Sequence, residues 1–118
     1  MSTKASIDMS PAERVAFLKA GDVAIVCAPT ASGGLVARVA AYRAEGEDLV
    51  IDLSGAAAAL PQVPGAVALV DAYPTYDQIK GVMLRGALEQ GPAAGTVRLR
   101  TERASGFDFA KIPKAPGS

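Results

Sequence analysis

Ser54 heads the stretch "LSGAAAALPQVPG", residues 53 to 65, which lies between two apolar runs. A serine ahead of an alanine-rich turn is a natural N-cap, and the backbone N–H groups behind it are unpaired donors aimed at whatever precedes the helix. Such donors suit a phosphate, yet the stretch contains no lysine or arginine. It is either an anion site without its cations or a plain crossover between strands. Other reactive residue types are scarce. Cys27 is the one cysteine, and its setting in "VAIVCAP" predicts a buried structural thiol. Histidine is absent, which removes a Ser–His triad, histidine-ligated zinc and an axial haem histidine. One thiol cannot hold a metal cluster, so no metal site is expected. Demanding chemistry would fall to a borrowed organic cofactor, and no side chain stands out as a catalytic acid or base.

The elements that must position these residues follow from punctuation and periodicity. "SPAE" predicts a capped helix start: Ser10 caps, Pro11 takes the first position and Glu13 completes a capping box. The helix runs to a stop at Gly21. Apolar or alternating runs predict strands over 22–28, 35–43, 49–53, 66–73, 79–90 and 96–103. Gly81 and Gly86, inside the fifth, mark bends or close backbone approaches. Alternation places Val97 and Leu99 inward, Arg98 and Arg100 outward, and Arg103 on the other face from them. By the same parity Arg38 and Arg43 face opposite sides, as do Lys80 and Arg85. Tyr73 and Tyr76 flank a proline in a loop suited to plugging a barrel end. Phe107 and Phe109, spaced by two, share a strand face as core or dimer-contact residues. A leading helix and six strands joined mostly by short turns indicate a mainly β, antiparallel barrel.

Bulk composition narrows the function classes. The chain of 118 residues carries 12 basic and 12 acidic side chains, so it has no basic footprint for nucleic acid. Glu102 interrupts the arginines of the last strand, and no aromatic interleaves there to stack bases. No uncharged apolar run reaches about 18 residues, so no membrane partner is expected. The N-terminal stretch lacks the apolar core of a secretory signal, and a lone cysteine fits a cytoplasmic location.

This order of elements, with "RVAAYR" at 38–43, the pattern K-G-V-x-x-R-G-x-A from Lys80 to Ala87 and the ending "SGFDFAKI", resembles the pyridoxamine 5′-phosphate oxidase-like FMN-binding split-barrel family. The likeness spans about Ala12 to Lys111. It implies a six-stranded antiparallel split barrel with a leading α-helix and a short crossover helix, forming a single domain over 1–118 with flexible ends at 1–9 and 112–118. It further implies a homodimer whose flavin pocket is built at the subunit interface. By residue match, the cofactor-binding positions are Arg38, Val39, Ala40 and Arg43 on the second strand, with Leu53 and Ser54 after the third. Members that hold FMN tightly have basic residues shortly after that serine; here Ala56 and Ala57 stand instead. Each missing cation removes a charge-assisted bond worth ~1.5–3 kcal/mol, or about tenfold in affinity. The implied function is FMN binding, with weakened affinity, by a possible flavin-dependent oxidoreductase acting on a small-molecule redox substrate. The lack of histidine argues against oxidation of pyridoxamine phosphate itself. A cofactor-free dimeric binding module and a deazaflavin-binding reductase remain as alternatives.

Overall fold

The computed structural model describes residues 7–53, 60–72 and 79–111. Helix α1 (Pro11–Ala20) begins with the expected reciprocal cap. The Glu13 N–H donates to Ser10 Oγ at 3.2 Å, and the Ser10 N–H donates to Glu13 Oε1 at 2.9 Å. At its far end the Gly21 N–H donates to the Phe17 and Leu18 carbonyls. One face enters the core, where Leu18 is fully buried and Phe17 packs beside it.

Six strands follow: β1 (Val23–Pro29), β2 (Leu35–Glu45), β3 (Asp48–Asp52), β4 (Ala66–Ala72), β5 (Lys80–Gln90) and β6 (Thr96–Asp108). They pair antiparallel in the order β1-β2-β3-β6-β5-β4, and the β1–β4 ladder closes the barrel. Closure removes the unpaired strand edges that an open sheet would leave. Barrel diameter grows with strand number, so a six-stranded barrel has a narrow interior. Alanines at 24, 28, 40, 66 and 68 occupy much of its lining and leave room for Leu49, Ile51, Leu84 and Leu99. Tyr42 also points inward, and its hydroxyl donates to the Leu18 carbonyl at 2.6 Å, tying β2 to the end of α1. Burial, helped by the nearby charge of Asp22, pushes that hydroxyl up to about 12. Between β2 and β3 the chain reverses through Gly46 at a φ of 63°, a left-handed conformation that favours glycine.

The expected strands are present, with two differences. β6 continues to Asp108 rather than ending near Arg103. Its weak strand formers Ala104–Gly106 are held between β5 and the segment before α1. The Met9 N–H donates to the Gly106 carbonyl (2.9 Å) and the Asp108 N–H to the Ile7 carbonyl (2.8 Å). Phe109 therefore falls beyond the strand, in the 3-10 turn Phe109–Lys111, and does not share a strand face with Phe107. Instead their rings meet at 5.5 Å, tilted by 50°.

The second difference is a β-bulge. Arg85 pairs with Arg103 while Gly86 pairs with Thr101, so Glu102 is an extra residue in β6. The extra residue resets the alternation. Arg103 thus returns to the outer face with Arg98 and Arg100, contrary to simple parity. Gly86 permits the bulge, because a Cβ there would overlap the Arg100 carbonyl oxygen. The expected crossover helix, together with Tyr73 and Tyr76, lies outside the described residues.

Candidate functional site

β2 is a regular strand, and its alternation separates the residues expected to bind a cofactor. Arg38 and Ala40 take inward positions, whereas Val39 and Arg43 point outward. At ~3.3 Å per residue the two arginines lie roughly 17 Å apart along the strand. Arg43 is exposed and contacts Glu45 at 3.2 Å. Glu45 also pairs with Arg98, and the two guanidiniums hold its carboxyl below the usual range. Arg38 differs in kind. It is half-buried and its guanidinium donates to the neighbouring Ala37 carbonyl at 2.8 Å, with no ion pair among the described residues.

The direction of β3 decides which arginine is nearer the third-strand exit. Its ladder with β2 starts at Glu45–Asp48 and finishes at Ala41–Asp52. Leu53 therefore emerges on the side of Ala40, Val39 and Arg38, and away from Arg43, which stands opposite Val50. The Leu53 N–H donates to the Gly95 carbonyl at 2.8 Å and fixes that exit. Ser54, the sixth expected position, lies outside the described residues. Along the strand Arg38, Val39, Ala40 and Leu53 lie on one side of Arg43, but Val39 faces outward, so Arg38 and Ala40 are the inward residues nearest the Leu53 exit.

Outside the barrel, cross-strand partners share a face and form two parallel rows. One runs Val39–Ile25–Leu69–Met83–Ser105, the other Ala37–Cys27–Val67–Arg85–Arg103. Most residues of both rows are apolar; Leu69, Cys27 and Val67 are half-buried, whereas Val39 is 72 % exposed, and Leu35, at the start of the same face of β2, is 80 % exposed. Cys27 lies on this outer face and is half-buried, so it is not the core thiol that its apolar neighbours suggested. A groove of about 470 Å³ opens where α1 meets this face, lined by Phe17, Gly21, Val23, Ile25, Val39 and Leu69. That volume is in the usual range for a small-molecule site.

Charge is mostly neutralised locally. Ion pairs link Arg14 to Glu47, Lys80 to Asp108, Arg100 to Glu89 and Lys111 to Glu13, besides those at Glu45. Among the described residues Arg38, Arg85 and Arg103 are the arginines outside this network. No group of three or more histidine, cysteine, aspartate or glutamate side chains that could hold a metal occurs among the described residues. Sequence reasoning missed both the apolar rows and the juxtaposition of Arg85 with Arg103. The pertinent signal was Gly86, a glycine inside a strand and a frequent mark of a bulge.

Neither a protein-family model nor a curated protein matches the sequence. Solved structures do match its shape. A conserved hypothetical protein of Mycobacterium tuberculosis superposes with a TM-score of 0.71 at 16% identity, covering 100% of this chain and 98% of that one. An FAD-binding protein of Mycobacterium smegmatis gives 0.67 at 16% identity over 86% of this chain and 96% of its own. A Corynebacterium glutamicum protein provisionally assigned as a pyridoxamine 5′-phosphate oxidase gives 0.72 at 9% identity, covering 97% and 100%. The class is thereby defined by fold: this chain has the six-stranded split barrel that these proteins share.

Proposed function

We propose that this chain binds a flavin nucleotide as a homodimer and serves flavin-dependent redox chemistry on a small-molecule substrate. The observation that carries this is the conjunction, at one end of β2, of an uncompensated guanidinium and the β3 exit that leads to Ser54. It occurs on the fold of a protein named for FAD binding. Arg38 spends one donor on its own strand, so most of its five N–H groups remain for an oxyanion. A flavin supplies two-electron transfer when bound; the chain binds it, orients it and excludes water. Arg38 takes the phosphate and the Leu53 exit leads to Ser54 beside it.

The dimer is supported by the β1–β2 side of the outer face, away from Arg85 and Arg103. Leu35 and Val39 on β2 and Val23 and Ile25 on β1 are exposed in the single chain, and half-buried Leu69 continues the strip on β4. A contiguous apolar strip of this kind is characteristic of an interaction surface. Cytoplasmic residence suits a lone Cys27 with no disulfide partner in the chain. Sedimentation with detection in the visible absorption band of the flavin tests the reading. Added FMN or FAD should travel with a species of twice the 12.0 kDa chain mass. Colour that stays with the free nucleotide would favour a cofactor-free module.

A further inference from the structure

Arg85 and Arg103 are direct cross-strand partners on the outer face, beside the bulge at Glu102. Both are exposed, and neither forms an ion pair or hydrogen bond among the described residues. Like charges placed directly opposite each other on a sheet are destabilising. The neighbouring arginines of β6 each have a carboxylate: Arg98 has Glu45 and Arg100 has Glu89. A bulge that resets the alternation, held by a glycine that tolerates no side chain, is what brings Arg103 to the outer face opposite Arg85. The next pair on the same face is Met83–Ser105, and Met83, Arg85, Arg103 and Ser105 line a hollow of about 280 Å³ together with Ala104.

We infer that this hollow is a second anion site, one that takes the phosphate or diphosphate group of a small molecule. Two guanidiniums supply two positive charges and ten N–H donors, and Ser105 adds a hydroxyl. A phosphate monoester carries about −1.5 to −2 near neutral pH and matches that charge; a carboxylate carries half as much. Planar guanidinium forks also fit phosphate oxygens two at a time. The apolar body of such a ligand has Met83 and Val67 beside it. The site does not depend on the proposed flavin site: Arg38 is on β2, which is separated from β5 by β1 and β4.

Thermal unfolding in the presence of inorganic diphosphate, against sodium chloride at equal ionic strength, provides the test. A ligand that binds only the folded state raises the melting temperature by mass action. Diphosphate should therefore stabilise the native chain well beyond chloride, and acetate should not. Arg85→Gln and Arg103→Gln should each weaken the diphosphate effect by about tenfold in apparent affinity, as expected for the loss of one charge-assisted contact. Without diphosphate each variant should melt at or above the native temperature, because a like-charge repulsion is relieved. Equal responses of the native and variant proteins to diphosphate would overturn the site. A response to acetate as large as that to diphosphate would overturn its assignment to phosphate.

Discussion

Gly86 offers the sharpest single test of the barrel's geometry. A Cβ at this position would overlap the Arg100 carbonyl oxygen and stand 2.9 Å from the Arg100 carbonyl carbon and 3.0 Å from the Thr101 Cα. All three are backbone atoms, so no side chain can rotate away. Relief requires the β5 and β6 backbones to separate by more than about an ångström where β6 carries its extra residue. Overpacking of this kind costs about 1–3 kcal/mol, and a weakened ladder bond adds ~1 kcal/mol. Restricting the unfolded chain returns about 0.4–1 kcal/mol, since the Gly86 backbone is not in the left-handed region. Gly86→Ala should therefore destabilise by about 2 kcal/mol, lowering the melting temperature by roughly 8 °C for a chain of this size. Denaturant unfolding followed by circular dichroism reads it as a lower midpoint at unchanged slope. A variant as stable as the native protein would refute the close crossing of β5 and β6 at the bulge.

Two further outcomes concern titration. Tyr42 should ionise at about 12 in the folded protein, seen as a late step in the ultraviolet titration of tyrosine. Because its folded value is raised above the ordinary 10.0, the stability it contributes is present below pH 10 and lost as the pH rises towards 12. Glu13 runs the other way: hydrogen bonds from Lys111 and from the Ser10 backbone lower its carboxyl from 4.5 to about 2. Its contribution is present above pH 4.5 and fades as the pH falls towards 2, and being exposed it should shrink in high salt. Carboxyl resonances in a nuclear magnetic resonance titration check this: Lys111→Gln should move the Glu13 midpoint up towards 4.5. An unmoved midpoint would contradict the ion pair.

Local signals were legible where local energetics decide. The Ser10–Glu13 capping box, the Gly21 stop and the strand runs depend on neighbours in sequence, and the structure has them where they were expected. The opposed directions of Arg38 and Arg43 also followed from period-two alternation, because β2 contains no bulge. What local pattern could not show depends on partners distant in sequence. Nothing near Glu102 marks it as an extra residue; the two-for-one pairing arises from Gly86, on another strand. The extension of β6 to Asp108 rests on hydrogen bonds from a segment about a hundred residues earlier. Cys27 misled because an apolar run has two faces, and only barrel closure decides which one lies inside. Near the candidate site, the antiparallel register of β3 separated Arg43 from the Leu53 exit, which no spacing within β2 could reveal.

The central claim is that Arg38 holds the phosphate of a flavin nucleotide. Its most direct test is the ratio of FMN to riboflavin affinity, measured by quenching of flavin emission, in the native protein and in Arg38→Ala. The phosphate is the one chemical difference between the two ligands. A charge-assisted contact worth ~1.5–3 kcal/mol should make FMN bind about tenfold or more tightly than riboflavin in the native protein. Arg38→Ala should bring the ratio close to unity while leaving riboflavin affinity unchanged. A folded variant that keeps the native preference for FMN would contradict the claim.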